Sequence, residues 1–210
     1  MWKKEVYWSK FASDFEKRQR YVTGENTFTT VINELKKEED FGRCLELACG
    51  TGSYTIELNK KASSIQVTDF SDEMIKVVKE RTRGLSNISC HKANAMALQF
   101  HDNSFDTVFM ANLIHVIPSP EKVIEESYRV LKKGGKIIVS SFTQEGMKFS
   151  EKIKMIYRFL KTFGIPPKGS KEGSTPKGVE RLLQNSGFTI EKSKLLGDKT
   201  KCFLIVGIKK

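Results

Sequence analysis

LELACGTGSYT, residues 45–55, is the stretch that decides the fold of this 210-residue chain. Its apolar run ends in a turn of small residues, Ala48-Cys49-Gly50-Thr51-Gly52, which leads directly into a helical segment. Glycine lets the main chain approach a ligand without interference from a Cβ atom, and a helix N-terminus points free N–H groups at that ligand. The turn therefore indicates a ligand site at the end of a strand, although an isolated G-x-G can equally be a tight connection.

Short apolar runs alternate with helical patterns on the C-terminal side of this turn. The runs expected to be strands are RCLELA at 43–48, SIQVTD at 64–69, NISCHKA at 87–93, FDTVFMAN at 105–112 and KIIVSSF at 136–142. Strands that alternate with helices pair in parallel through right-handed crossovers and carry helices on both faces. The sequence therefore predicts an α/β fold with a doubly wound, mostly parallel sheet. Two final runs, at 188–196 and 201–208, predict an antiparallel hairpin.

We expect a single domain over residues 1–210, because this length suits one core with small appendages. Aromatic residues at partly helical spacing predict an N-terminal helical arm over 1–37, and a break in the strand–helix alternation predicts a cap inserted at about 143–177. Within the cap, helical spacing predicts a helix over 148–163 that buries an apolar stripe and displays basic residues. The stripe is Phe149, Ile153, Ile156, Leu160 and Phe163, and the basic residues are Lys148, Lys152, Lys154, Arg158 and Lys161.

The formal net charge is +11, and nearly all of it lies in the C-terminal part of the chain. Residues 148–210 hold 15 basic and 5 acidic side chains, whereas residues 1–147 hold 21 basic and 20 acidic ones. A solvated basic face explains this surplus most simply. A sharper hypothesis is that the cap receives an acidic or amphipathic acceptor, or rests on an anionic membrane surface.

Cysteine use and hydropathy exclude several classes of protein. The four cysteines are scattered without a C-x-x-C pair, so neither a disulfide nor a metal site is expected. No stretch has the roughly 18 uncharged apolar residues of a membrane helix, and no apolar signal core follows Lys3 and Lys4. We therefore expect a cytoplasmic protein without a transmembrane segment, as a monomer or a homodimer.

Asp69 ends the second apolar run, 17 residues after Gly52. An acidic residue about 20 residues after a glycine turn is typical of nucleotide sites, where it accepts hydrogen bonds from the ribose. The alternative is that Asp69 caps a helix beginning near Ser71. Thr55 replaces the third glycine of a dinucleotide-binding turn, and no P-loop lysine follows. The pattern therefore favours a ligand with adenosine but no phosphates over the dinucleotide of an oxidoreductase.

Four motifs follow one another along the chain. They are ELACGTG at 46–52, VTDFS at 67–71, NAMALQFHDNSFDTVFMAN at 94–112 and RVLKKGGKIIVSSF at 129–142. Together they resemble the class I S-adenosylmethionine-dependent methyltransferases, in the small-molecule branch similar to quinone-biosynthesis enzymes. The resemblance implies a Rossmann-like sheet with strand order 3-2-1-4-5-7-6. It also implies S-adenosylmethionine as cofactor and transfer of its methyl group to a small molecule by in-line displacement.

The resemblance further implies which residues bind the cofactor. Glu46 and the turn would hold its methionine and ribose portion, Asp69 would hold the ribose hydroxyls, and Phe70 and Met74 would pack on the adenine. The full implied set is Glu46, Ala48, Cys49, Gly50, Thr51, Gly52, Asp69, Phe70, Met74, Asn94, Ala95, Met96, Asn112, Tyr7 and Tyr21.

His115 is the candidate catalytic residue, because it follows Asn112 by three residues in the loop where the acceptor pocket of the family opens. A general base with a pKa near neutrality would contribute about 10²–10⁴-fold to the rate. A histidine within the apolar stretch 113–117 can equally be a packing residue. Similarly, Tyr7, Trp8 and Tyr21 either form an aromatic lid over the cofactor or take part in ordinary helix packing.

Two other functions remain open at the level of sequence. The basic C-terminal region would suit an RNA or protein methyltransferase, although residues 110–120 lack the N-P-P-Y type of signature found in enzymes that methylate adenine nitrogens. The second open function is that of a protein that binds S-adenosylmethionine without transferring its methyl group. Its marks would be departures from the family at Ala48, Asn94 and Lys133, where Gly, Asp and Pro are more usual. Asn94 matters most, because an amide accepts hydrogen bonds more weakly than a carboxylate.

Overall fold

One sheet runs through the molecule and fixes where the other elements lie. The structure, a computed structural model, describes residues 7–210, so the first six residues of the predicted arm lie outside the described range. The strands in that range are β1 Gly42–Leu47, β2 Ala62–Asp69, β3 Ile88–Lys92, β4 Phe105–Ala111, β5 Leu131–Thr143, β6 Phe188–Leu196 and β7 Lys201–Lys209.

The order of the strands in the sheet is β3-β2-β1-β4-β5-β7-β6. Strands β1 to β5 pair in parallel, and β7 is antiparallel to both β5 and β6. This confirms the predicted doubly wound α/β sheet, its strand order and its C-terminal hairpin.

Helices cover both faces of the sheet. They are α1 Phe15–Thr23, α2 Glu25–Leu35, α3 Thr55–Asn59, α4 Asp72–Arg81, α5 Pro120–Val130, α6 Phe149–Phe163 and α7 Pro176–Asn185. On β1, Leu45 and Leu47 join the core shared with α5 and α7, whereas Cys44 joins the core shared with α2, α3 and α4. Because both faces are buried, the central strands have nearly continuous apolar sequences. No helix within residues 7–210 combines the length and the apolar character needed to span a bilayer.

The N-terminal arm packs against α6. Phe163 is buried, and the rings of Trp8, Phe11 and Phe15 surround it at centroid distances of 5.7, 5.0 and 6.0 Å. The guanidinium of Arg18 on α1 donates a hydrogen bond of 3.1 Å to the carbonyl of residue 162. The C-terminal end of α6 is therefore held by aromatic packing and one main-chain hydrogen bond.

The prediction that α6 buries its apolar stripe is wrong. Only Phe163 of the five stripe residues is buried, and Phe149, Ile153, Ile156 and Leu160 are between 42% and 78% exposed. Helical spacing places such residues on one face, but tertiary packing decides whether another element covers that face. No element within residues 7–210 buries this one.

The close approach of the turn after β1 to α4 can be tested at Gly52. It has φ +79°, and a Cβ atom there would lie 2.5 Å from Cγ2 of Val78. Gly52→Ala should lower the free energy of unfolding by about 2–4 kcal/mol, because it adds overpacking to backbone strain. Gly84→Ala is the matched control, since Gly84 has φ +87° and a Cβ there meets nothing within 4 Å. The control should lose only about 1 kcal/mol. Urea denaturation measures both losses, and equal values would contradict the packing role.

Candidate functional site

A cavity of about 730 Å³ lies at the carboxyl ends of β1, β2, β4 and β5. It sits where the strand order reverses between β1 and β4, the place at which doubly wound sheets bind ligands. Its volume falls within the range of about 300–1,000 Å³ typical of small-molecule sites. The lining includes most of the predicted cofactor residues, namely Glu46, Ala48, Cys49, Gly50, Thr51, Asp69, Phe70, Met74, Asn94, Ala95 and Asn112.

The turn after β1 brings the main chain to the cavity wall. Ala48 and Gly50 have φ values of +54° and +55°, so the chain twice enters the left-handed region within three residues. The N–H of Cys49 donates to the carbonyl of Thr68 at 2.9 Å, which fastens the turn to β2. Ala48 stands where the family more often has glycine, and its left-handed conformation costs about 1–2 kcal/mol.

Asp69 connects the turn to the start of α4. Its Oδ2 accepts a hydrogen bond of 2.9 Å from the N–H of Gly50, and its Oδ1 accepts one of 2.9 Å from the N–H of Ser71. The hydroxyl of Ser71 in turn accepts from the N–H of Met74 at 3.2 Å and caps α4. The alternative of Asp69 as the helix cap is therefore wrong, because Ser71 fills that position.

Glu46 is a buried carboxyl group at the floor of the cavity. It points from β1 toward α3, where the hydroxyl of Thr55 donates to its Oε2 at 2.6 Å. Burial, together with the nearby charge of Asp69, raises the pKa of Glu46 to about 8, even though the Thr55 hydrogen bond acts in the opposite direction. The Thr51 hydroxyl, also on the cavity wall, is buried and has no hydrogen-bond partner within residues 7–210.

Two asparagines shape the loops on either side of the floor. The side-chain oxygen of Asn94 accepts from the N–H of Met96 at 3.0 Å, which closes the turn after β3. Asn112 has φ +58°, and its side-chain oxygen accepts from the N–H of Phe142 at 3.1 Å. These amides hold the loop after β3 closed and the loop after β4 against β5, so both have a structural role on the cavity wall.

His115 lines the cavity on the β4–β5 side. Its Nδ1 lies 2.7 Å from the hydroxyl of Ser141, and its carbonyl accepts from the N–H of Ser170 at 3.0 Å. Burial lowers the pKa of His115 to about 4. The imidazole is therefore neutral at physiological pH, which leaves a ring nitrogen able to accept a proton, but the group is a weaker base than the near-neutral one expected from the sequence.

Four of the predicted cofactor residues do not line the cavity. Gly52 faces Val78 on α4, and Met96, whose N–H closes the turn with Asn94, packs against the hydrophobic core. The hydroxyl of Tyr7 donates to the carbonyl of Phe163 at 3.0 Å, and Tyr21 is 51% exposed. Neither tyrosine lines the cavity, whereas Trp8 of the same arm does, so the aromatic lid stays a prediction that rests on Trp8.

From the arm and α6, the aromatic rings that line the cavity are Trp8, Phe15, Phe159 and Phe163. The sequence analysis did not identify Phe15 and Phe159 as site residues. Their only signal was aromatic or apolar character within a helical pattern, which core residues share. Glu16 of the arm forms an ion pair of 2.6 Å with Arg81 of α4, so the arm is also fixed to the base of the site.

The comparison of sequences relates the chain to known methyltransferases. Residues 45–139 match a family model described as a methyltransferase domain. The chain is 32% identical over 156 residues to the demethylmenaquinone methyltransferase of Staphylococcus haemolyticus, a match that covers 73% of this chain and 64% of that protein. Residues 45–139 are therefore a methyltransferase domain, and the chain is similar to class I S-adenosylmethionine-dependent methyltransferases. The predicted resemblance to the quinone-biosynthesis branch, and with it S-adenosylmethionine as the family's cofactor, is confirmed.

Solved structures of other methyltransferases share the fold of this one. An S-adenosylmethionine-dependent methyltransferase from Aquifex aeolicus has a TM-score of 0.72 at 20% identity, over 96% of this chain and 98% of that one. A possible histamine N-methyltransferase from Thermotoga maritima has a TM-score of 0.70 at 23% identity, over 98% and 99% of the two chains. At these identities the likeness is one of fold.

The buried carboxyl group of Glu46 should make stability depend on pH. Its folded-state pKa of about 8 lies above the ordinary value of 4.5, so the folded protein binds more protons between these two values and loses stability as the pH rises through them. Between about pH 5 and about pH 9 this loss should be about 2–4 kcal/mol. Glu46→Gln keeps an acceptor for Thr55 and should remove the loss. Urea denaturation across this pH range measures it, and equal slopes in the two proteins would disprove the assignment.

Proposed function

We propose that this methyltransferase transfers the methyl group of S-adenosylmethionine to a small apolar acceptor of the quinol type, with the donor bound at the glycine turn. The distribution of polarity in the cavity carries the proposal. Two carboxyl groups and a hydroxyl lie where β1 and β2 end, at Glu46, Asp69 and Thr51. The side formed by α6 and the loops after β4 and β5 carries apolar residues next to polar ones at 143–145 and 174–175; the apolar residues include Val116, Ile117, Phe142, Met155 and Phe159.

The residues at the polar end fit the donor. The carboxylate of Asp69 lies beside the glycine turn and accepts main-chain hydrogen bonds from Gly50 and Ser71, and a carboxylate at the end of β2 is the acceptor that two ribose hydroxyls require. The unpartnered Thr51 hydroxyl offers a further polar contact. Glu46, whose pKa is raised to about 8, gains a countercharge when an ammonium group binds beside it. Gly50 leaves the main chain bare where the ligand lies against it.

The chemistry needs placement more than covalent participation. When bound, S-adenosylmethionine supplies a methyl group on a positively charged sulfur, and that sulfur leaves as a neutral thioether. The chain's part is to hold the acceptor oxygen or carbon in line with that methyl group and to keep water out. The rings of Trp8, Phe15 and Phe163 exclude water from above. Neutral His115 can take a proton from an acceptor hydroxyl, with Ser141 orienting its ring.

The relatives support the acceptor class. Their name specifies demethylmenaquinone, and the apolar half of the cavity suits a flat aromatic ring. The chain spans 64% of the length of the Staphylococcus haemolyticus protein, so the acceptor is proposed on the chemistry of this cavity together with that name.

Methyl transfer from labelled S-adenosylmethionine to a panel of demethylated quinols, and to a metabolite extract of the source cell, tests the function. A product heavier by one CH₂ unit is expected among the quinols. Binding of S-adenosylmethionine without any methylated product would indicate a protein that binds the donor but is not an enzyme. Label in RNA or protein instead of in a metabolite would indicate an RNA or protein methyltransferase.

Asp69→Ala should weaken donor binding by about 1.5–3 kcal/mol, the scale of hydrogen bonds to a charged group. Titration calorimetry measures the affinity. Asp72→Ala is the matched control, because Asp72 lies three residues further on, is exposed and pairs with Lys92. Urea denaturation of both variants shows whether the turn has been lost as well. Unchanged affinity in a folded Asp69→Ala protein would remove the ribose assignment.

His115→Ala should lower turnover by about 10²-fold while leaving donor affinity unchanged, because the imidazole faces the acceptor side. His101→Ala, in a polar loop outside the cavity, is the control. Because the pKa of His115 is about 4, the turnover of the parent protein should show no inflection from this group between about pH 6 and pH 8. Full activity of His115→Ala would show that the residue only packs.

A further inference from the structure

Helix α6 carries an exposed apolar stripe. Its members recur at intervals of one, three and four residues, and they are Phe149 at 78% exposure, Ile153 at 52%, Ile156 at 42%, Tyr157 at 63% and Leu160 at 47%. Ile165, just beyond the helix, is 85% exposed. A helix of a water-soluble protein ordinarily turns such a stripe toward the core. Exposed apolar surface of this extent marks a place where the protein contacts something else.

Unpaired positive charge borders the stripe. Lys148, Lys152 and Lys161 make no ion pair with any residue in the range 7–210, whereas Lys154 pairs with Glu151 at 3.0 Å. Lys148 and Lys152 lie near the first turns of the helix and Lys161 near its last. A partner for this face must therefore be apolar in the middle and anionic around the edge.

The stripe faces outward because α6 is anchored by a different side. Its C-terminal end is held at Phe163 by the rings of the arm, and Met155 and Phe159 face the cavity. Two of the stripe residues, Ile156 and Leu160, also line the cavity. The exposed stripe and the interior of the site are thus continuous along one helix.

We propose that α6 docks on the surface of an anionic lipid bilayer, with its axis in the plane of the interface. The apolar side chains enter the boundary between headgroups and acyl chains, and the lysines contact lipid phosphates, as in other basic amphipathic helices. A nucleic acid would satisfy the lysines but leave the stripe in water. A second copy packed on the same face through a two-fold axis would bring like charges together at both ends of the helix.

Bilayer docking goes beyond the proposed function, since it requires no methyl transfer. The proposed function makes the acceptor an apolar quinol. On that basis, docking would give the quinol a route from the lipid to the cavity past Ile156 and Leu160. The two ideas can fail separately.

Sedimentation with vesicles tests the docking. The protein is mixed with vesicles of phosphatidylcholine alone, or of phosphatidylcholine with phosphatidylglycerol, at low and at physiological salt. The charge variant is Lys148→Glu, Lys152→Glu and Lys161→Glu together. The apolar variant is Phe149→Gln, Ile153→Gln and Tyr157→Gln together, which spares the cavity lining and keeps good helix formers.

A control variant has the same change in net charge as the charge variant, but at the end of the sheet opposite to the cavity. It combines Lys36→Glu, Lys133→Glu and Lys210→Glu, all exposed positions near the amino ends of the parallel strands. The control separates the basic edge of α6 from the overall positive charge of the protein, +11.

We expect binding to the anionic vesicles only, weakened about 10²-fold in the charge variant and at least about tenfold in the apolar variant, but only slightly in the control. Equal binding by the control and the charge variant, or no binding by the parent protein, would overturn the proposal. The proposal would also be overturned if vesicles did not bind and analytical ultracentrifugation showed a dimer that the apolar variant abolishes.

The affinity for S-adenosylmethionine, measured by calorimetry without vesicles, should be unchanged in all variants. If the parent protein shows no detectable binding of S-adenosylmethionine, the proposed function fails, but the result with the vesicles still holds.

Discussion

The carboxylate of Asp69 holds the site together. It accepts one hydrogen bond from the turn after β1 and one from the start of α4, and so it fixes two segments that come from opposite sides of β2. Together with the hydrogen bond from Cys49 to Thr68, this carboxylate holds the main chain at Gly50 in place beside the cavity. The polar floor of the cavity, and with it the proposed position of the donor, depends on this pair of hydrogen bonds.

At the floor of the cavity, the proposed binding of a cationic ligand conflicts with the stability of the fold. Glu46 is buried with a hydroxyl as its direct partner, and burial raises its pKa, so the folded protein loses stability wherever this group ionises. Ala48 adds backbone strain in the same turn. Such departures from the most stable arrangement are typical of binding sites, since a ligand that brings the missing charge recovers the energy.

The two halves of the cavity differ in how predictable they were. Glu46, Gly50 and Asp69 lie at the ends of strands, where chain order and strand polarity together place them at one edge of the sheet. Residues of the arm and of α6 have no such constraint. Tyr7 was expected over the cavity and instead bonds to the main chain of α6, while Phe15, which looked like any apolar helix residue, faces the cavity. The orientation of a helix about its own axis depends on all its neighbours.

The sequence by itself determined the order of strands and helices, the glycine turn, the acidic residue at the end of β2 and the family. These features are local or repeat along the chain, so spacing and motif are sufficient to find them. Only the tertiary structure decided that Ser71 caps α4, that burial depresses the pKa of His115, and that the stripe on α6 faces outward. Each of these depends on which distant segments exclude water from a group, and a linear pattern does not contain that information.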